Sequence, residues 1–180
     1  MGFDDAPFPH GYRGDVLVVG AVYAGDRLDG ILSCRVRRDG ANATARIAAC
    51  VARSRFYPQL HAVLLQGIAF GGFNVVDIQA LSAMLTRPVL VVCRRRPDRA
   101  LIRATLLREV RGGERKWRAI ERAGEPSLLG GLYVQCAGFG AQDAAAVLRR
   151  HARHGKLPEP LRTAHLIAGG VTSGESSGRP

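Results

Sequence analysis

Asp15-Val16-Leu17-Val18-Val19-Gly20-Ala21-Val22-Tyr23-Ala24 reads as one β-strand, and the Gly25-Asp26 pair that follows it reads as a turn. Residues 28–37 read as the next strand, so the two pair as an antiparallel hairpin. Upstream, Gly2-Phe3-Asp4 looks like the end of a short strand that begins at the very start of the chain. Downstream the pattern changes to alternation: helix 42–53, strand 60–65, helix 74–85, strand 88–93. A meander followed by alternating strands and helices predicts an α/β domain with a mixed sheet covered by helices.

Helix 42–53 takes Asn42 or Thr44 near its cap and turns Ile47, Cys50 and Val51 to one side. Helix 74–85 carries Val75, Ile78, Leu81, Met84 and Leu85 as its buried stripe. Pro97-Asp98 opens a further helix, a charged helix spans 114–122, a strand spans 132–136, and a helix spans 142–154. Residues 1–168 form a single domain, and residues 169–180, rich in Gly and Ser, form a flexible tail.

Composition narrows the function classes. At 47% hydrophobic residues over 180, the chain can build a full core, and no apolar run approaches a membrane span. Met1-Gly2-Phe3-Asp4-Asp5 has neither the positive start nor the apolar stretch of a signal peptide, so the expected location is the cytoplasm. Cys34, Cys50, Cys93 and Cys136 form no Cys-x-x-Cys pair and read as buried free thiols. A formal charge of +11 favours a polyanionic partner. All but two of the 26 basic residues are arginine, which a genome rich in G and C also produces.

The string Leu157-Pro158-Glu159-Pro160-Leu161-Arg162-Thr163-Ala164-His165 sets a rigid path into a helix, because each proline fixes its own backbone and restrains the residue before it. Arg162 and His165 lie three apart and share a helix face. That face suits an anion or a positioned water; the alternative is a packed terminal helix with Arg162 in solvent. The string resembles the Leu-Pro-Glu-Pro-x-Arg-x-Ala-His segment of endonuclease V. Over almost its whole length the chain resembles the DUF99 (UPF0215) family, a relative of that nuclease. The resemblance rests on Gly2-Phe3-Asp4-Asp5-Ala6-Pro7-Phe8, Leu28-Asp29-Gly30, Asp39-Gly40-Ala41-Asn42-Ala43-Thr44, Gly71-Gly72-Phe73-Asn74-Val75-Val76-Asp77, Arg94-Arg95-Arg96-Pro97-Asp98 and the Pro-Glu-Pro string.

The resemblance implies a ribonuclease H-like, endonuclease V-like fold. It also implies a Mg2+- or Mn2+-dependent endonuclease acting on DNA with deaminated bases, deoxyuridine or deoxyinosine. Asp4 occupies the place of the first-strand metal carboxylate, with Asp5 and Asp39 as further metal ligands and Asp77 as a possible substitute. His165 orients a water or steadies the leaving group. Two positions depart from the nuclease. Gln66 stands where it has an aspartate, and the stretch that should supply its glutamate offers only Asp39, since Asn42 is neutral. Arg94, Arg162, Gln66, Gly67 and Gly71 complete the expected nucleic-acid site.

Gly67 to Gly72 is a glycine loop that permits close backbone approach but lacks the ending of a P-loop. Phe70 and Phe73 either stack on a base or pack in the core. Arg108, Arg111, Arg115, Lys116, Arg118 and Arg122 surround Trp117 and suit a phosphate backbone, or else form a solvated face. Two rival functions remain: a nucleic-acid-binding protein with weak or lost catalysis, and a small-molecule nucleotide or phosphate binder.

Overall fold

Strand β1 (Gly2–Asp5) lies between two strands that run in opposite directions, and this position defines the sheet. In the computed structural model, which describes residues 1–176, β1 pairs antiparallel with β2 (Asp15–Ala24), and β2 with β3 (Arg27–Arg37). After helix α1 (Ala43–Ala52), strand β4 (Val63–Gln66) returns parallel to β1. A small ribbon, β5 (Ala69–Phe70) against β6 (Asn74–Val75), precedes helix α2 (Ile78–Leu85). Strand β7 (Val89–Cys93) runs parallel to β4. Helices α3 (Arg99–Glu109) and α4 (Gly113–Arg122) then pack on each other. The hairpin β8 (Ser127–Leu129) and β9 (Leu132–Ala137) closes the sheet, and α5 (Ala141–His151) and α6 (Glu159–Ser173) follow. The seven-stranded order is β3-β2-β1-β4-β7-β9-β8. It is the mixed, helix-flanked α/β sheet that the meander and alternation predict.

The period of two along β1 assigns its residues to two cores. Phe3 joins Val16, Val18, Ile47, Leu65, Ile78 and Leu81 under α1 and α2. On the other face α6 lays Ala164 and Ala168 against Val19 and Ala21, while its Leu161 meets Leu64, Leu90 and Val92. Glycines set the closeness of both layers. A methyl group on Gly20 would stand 2.4 Å from the Phe3 ring, and one on Gly2 would stand 2.6 Å from the carbonyl carbon of Pro160. Gly2→Ala is therefore expected to push the first turn of α6 off the sheet, at a cost of about 1–3 kcal/mol. Thermal unfolding should read this as a fall in Tm of roughly 3–10 °C; an unchanged Tm would mean that α6 does not close on β1.

Several elements differ from expectation. Helix 74–85 is shorter, because Asn74 and Val75 form a strand and Asp77 caps the helix by accepting the Ala80 N–H at 3.2 Å. Asn74 is fully buried: its amide donates to Arg37 O and Asn42 Oδ1 at 2.8 Å, and its Oδ1 accepts Ala43 N–H at 3.0 Å. These bonds tie β3, α1 and β6 together, which a helical Asn74 could not do. Met84, assigned to the buried stripe, is 57% exposed. Helix α6 does not end at residue 168. It runs through Gly169 and Gly170 to Ser173 and stops where Gly174 takes a left-handed φ of 84°. The first five residues of the expected tail are thus helical; residues 177–180 lie outside the described residues. The β8–β9 hairpin, absent from the sequence reading, turns on Gly130-Gly131 with φ of 60° and 77°. The four cysteines are free, as expected, but half-buried.

Candidate active site

The parallel strands β1, β4 and β7 end side by side, and three polar residues stand at those ends. Leu65 pairs with Phe3 and Val91, so Gln66 follows Leu65 as Asp4 follows Phe3. Phe3, Leu65 and Val91 face the α1/α2 core. Alternation therefore turns Asp4 and Gln66 to the α6 face on adjacent strands, with Val92 of β7 on the far side of Gln66 and Arg94 two residues beyond it. Helix α6 supplies the fourth group. His165 Nδ1 lies 2.8 Å from Asp4 Oδ2, while Asp4 Oδ1 accepts the Asp5 N–H at 3.0 Å.

Asp4 is only 5% exposed. Burial raises its carboxyl above the usual range, and the bond to His165 acts against that shift. The bond to Asp4 raises the His165 imidazole above its ordinary value, with burial and the nearby Arg94 charge opposing it. Bonding through Nδ1 leaves Nε2 of His165 for a ligand. Gln66 Oε1 is buried without a hydrogen-bond partner among the described residues. An orphaned buried carbonyl is costly and calls for a partner.

Asp5 and Asp39 do not join this cluster. Asp5 follows Asp4 on the strand and so faces the opposite side, where its Oδ2 accepts the Gly71 N–H at 2.8 Å. Burial pushes Asp5 up to about 6, with the Gly71 bond opposing and the Asp4 charge adding. Asp39, at a left-handed φ of 51°, accepts Phe73 N–H at 2.8 Å and donates its own N–H to Gly71 O at 2.9 Å. Both carboxylates grip the 71–73 turn, and among the described residues no three His, Cys, Asp or Glu side chains form a metal-binding group. The expected Asp4, Asp5 and Asp39 metal set is therefore corrected. Asp77, the possible substitute, caps α2 and pairs with Arg122 at 2.6 Å.

A hard cation nevertheless fits the remaining oxygens. Magnesium binds through one or two protein oxygens and keeps waters and substrate phosphate in its shell. Asp4 and the unpartnered Gln66 Oε1 supply two such oxygens on adjacent strands.

The other nominated residues separate. Gly67, at φ 83° with open space around it, can be approached at the end of β4. Gly71 cannot serve a ligand through its N–H, which Asp5 takes. Arg162 is corrected too: it turns away from His165 and meets both oxygens of the buried Glu159, its Nε at 3.0 and 2.9 Å. Phe70 is in the core, and Phe73 packs on the α3/α4 cluster. Lys116, a surface cation in the sequence reading, is 5% exposed and donates to Asp39 O at 2.6 Å. Its isolation among arginines was the available sign.

Comparison with known proteins returns relatives in sequence and in fold. The chain is 56% identical over 179 residues to a UPF0215 protein of Deinococcus radiodurans, covering 99% of this chain and 91% of that one. A crystal structure described as a protein of unknown function from Archaeoglobus fulgidus superposes with a TM-score of 0.88 at 35% identity, covering 94% of this chain and 95% of that one. Endonuclease V of Bacillus subtilis superposes at 0.59 with 12% identity, covering 93% and 77%. Endonuclease V of Ciona intestinalis, solved with DNA containing an inosine followed by a ribo-adenosine, superposes at 0.53 with 13% identity, covering 91% and 81%. The endonuclease V likeness is one of fold. Residues 1–172 match the family described as Endonuclease dU, and the chain belongs to that family.

Proposed function

We propose that this protein is a divalent-metal-dependent endonuclease that cuts DNA carrying a deaminated base, deoxyuridine or deoxyinosine. The observation that carries the reading is the Asp4–His165 pair beside the unpartnered Gln66 carbonyl at the carboxyl ends of three adjacent strands. The family's description and the inosine-containing DNA bound by a structural neighbour support the substrate class.

Asp4 and Gln66 would hold Mg2+ or Mn2+, which when bound polarises a phosphate oxygen and favours hydroxide formation. Arg94 lies beside the cluster and adds positive charge where a phosphate approaches. Protonated His165, steered by Asp4, points Nε2–H at the phosphate or at the departing oxygen. Water adds to phosphorus in line and gives up a proton to solvent, the phosphorus–oxygen bond opposite breaks, and the leaving oxygen takes the His165 proton, which the imidazole regains from solvent. The open backbone at Gly67 gives the displaced base a place against the main chain.

The test is cleavage of labelled oligonucleotides carrying uracil, hypoxanthine or neither, with Mg2+, Mn2+ or chelator. Cutting that needs both metal and the altered base supports the proposal. Salt-sensitive DNA binding without cutting under either metal would favour a binding protein on a nuclease fold. No helix among the described residues is long and apolar enough to cross a membrane.

A further inference from the structure

A second basic site stands apart from the Asp4–His165 cluster, between the start of α1 and the first turns of α4. It is a cavity of about 340 Å³ lined by Arg111, Arg115, Lys116 and Arg122, with Asp39 and Asp77 on its walls. Four cations face two carboxylates, a formal surplus of two positive charges. The cations are not equivalent. Arg122 is held by Asp77. Lys116 uses one of its three donors on Asp39 O. Arg111 and Arg115 have no side-chain partner among the described residues. Helix α4 begins here at Gly112, in the left-handed region, with no side chain capping its free N–H groups. A buried ammonium, two unengaged guanidinium groups and a helix start with its positive end exposed share one chemical preference, which is phosphate.

The cavity also connects to the catalytic edge. Lys116 holds the carbonyl of Asp39, and Asp39 holds Phe73 N–H and Gly71 O. Gly71 N–H in turn holds Asp5, the neighbour of Asp4. One glycine turn thus borders both sites. We propose that the α1/α4 cavity binds a phosphodiester group of the same DNA strand that is cut at Asp4, and so sets the direction in which that strand leaves the catalytic edge. The inference rests on the nuclease reading only for the identity of the polymer.

The test compares wild type with Arg111→Ala/Arg115→Ala, both exposed side chains whose loss leaves the fold intact. A control variant, Arg53→Ala/Arg55→Ala, removes the same charge beyond the C-terminal end of α1. Fluorescence anisotropy of a labelled single-stranded oligonucleotide is read across NaCl concentrations in chelator, so that no cutting intervenes. Losing two single-strand phosphate contacts should flatten the log–log salt slope by about 1.4, a roughly sevenfold smaller loss of affinity between 50 and 200 mM salt. The control should flatten it far less.

An unchanged slope overturns the proposal, as does an equal change in the control, which would mean that overall charge alone is read. Inorganic phosphate supplies the second arm. If millimolar phosphate raises the Tm of wild type but not of the double variant while the DNA slope stays unchanged, the cavity belongs to a small anion and the DNA claim is overturned. The two readings fail separately. A flattened slope in a protein that never cuts keeps this site and removes the nuclease, whereas normal cutting with an unchanged slope does the reverse.

Discussion

His165→Gln and Asp4→Asn are each expected to lower single-turnover cleavage by about 10²–10⁴-fold, the range for loss of a positioned proton donor. They should do so without unfolding the chain, and stability separates the two. Asp4→Asn removes a carboxylate that burial already disfavours, so in chelator at high pH, where the pair with His165 no longer contributes, its Tm should equal or exceed that of wild type. A fold that carries its own active-site strain in this way loses function, not stability, when the strain is relieved.

His165→Gln should behave differently with pH. The folded-state imidazole value is raised by Asp4. The pair's contribution is therefore fully present below the unfolded value of about 6.5 and is lost as pH rises through the folded value. In chelator, the Tm gap between wild type and His165→Gln should be widest near pH 6 and narrow toward pH 9. Cleavage by either variant within threefold of wild type would remove the pair from the mechanism.

The hairpin β2–β3 was legible because its two strands are long and a Gly-Asp turn separates them. Asp4 and His165 were nominated through resemblance, and they stand 2.8 Å apart. What sequence could not supply is the face each residue takes. Asp4 and Asp5 are neighbours in the chain, and the pleat sends them to opposite layers. Arg162 and His165 share a helix face by spacing, yet Glu159, one turn earlier, captures Arg162. Asn74 and Val75 look helical beside Ile78 and Leu81 until the fully buried amide of Asn74 is seen bonding three separate partners. Gly169-Gly170 reads as a breaker, since each glycine costs a helix about 1 kcal/mol. The preceding turns, packed through Ala164 and Ala168, carry the helix past them. In each case long-range packing decides between local options that the sequence leaves equal.

Gln66 is the residue whose substitution should separate metal binding from folding, because two changes there are expected to have opposite signs. Gln66→Glu keeps the shape and places a carboxylate on the strand beside Asp4, about 4.8 Å away in the sheet. At an effective dielectric of about 20, two charges at that spacing repel by roughly 3 kcal/mol. The variant should therefore unfold at a lower temperature in chelator. A divalent cation turns that repulsion into attraction. Half-saturation by Mg2+, read by calorimetry or by Tm against metal concentration, should fall by about tenfold or more, and metal should restore the lost stability. Gln66→Leu removes the orphaned carbonyl, so its Tm in chelator should rise by the relief of an unpaired buried polar group, about 1–3 kcal/mol. Its metal response should be lost. If both variants match wild type in chelator and in metal, Gln66 does not face the cation, and Asp4 would be left to hold it with substrate oxygens alone.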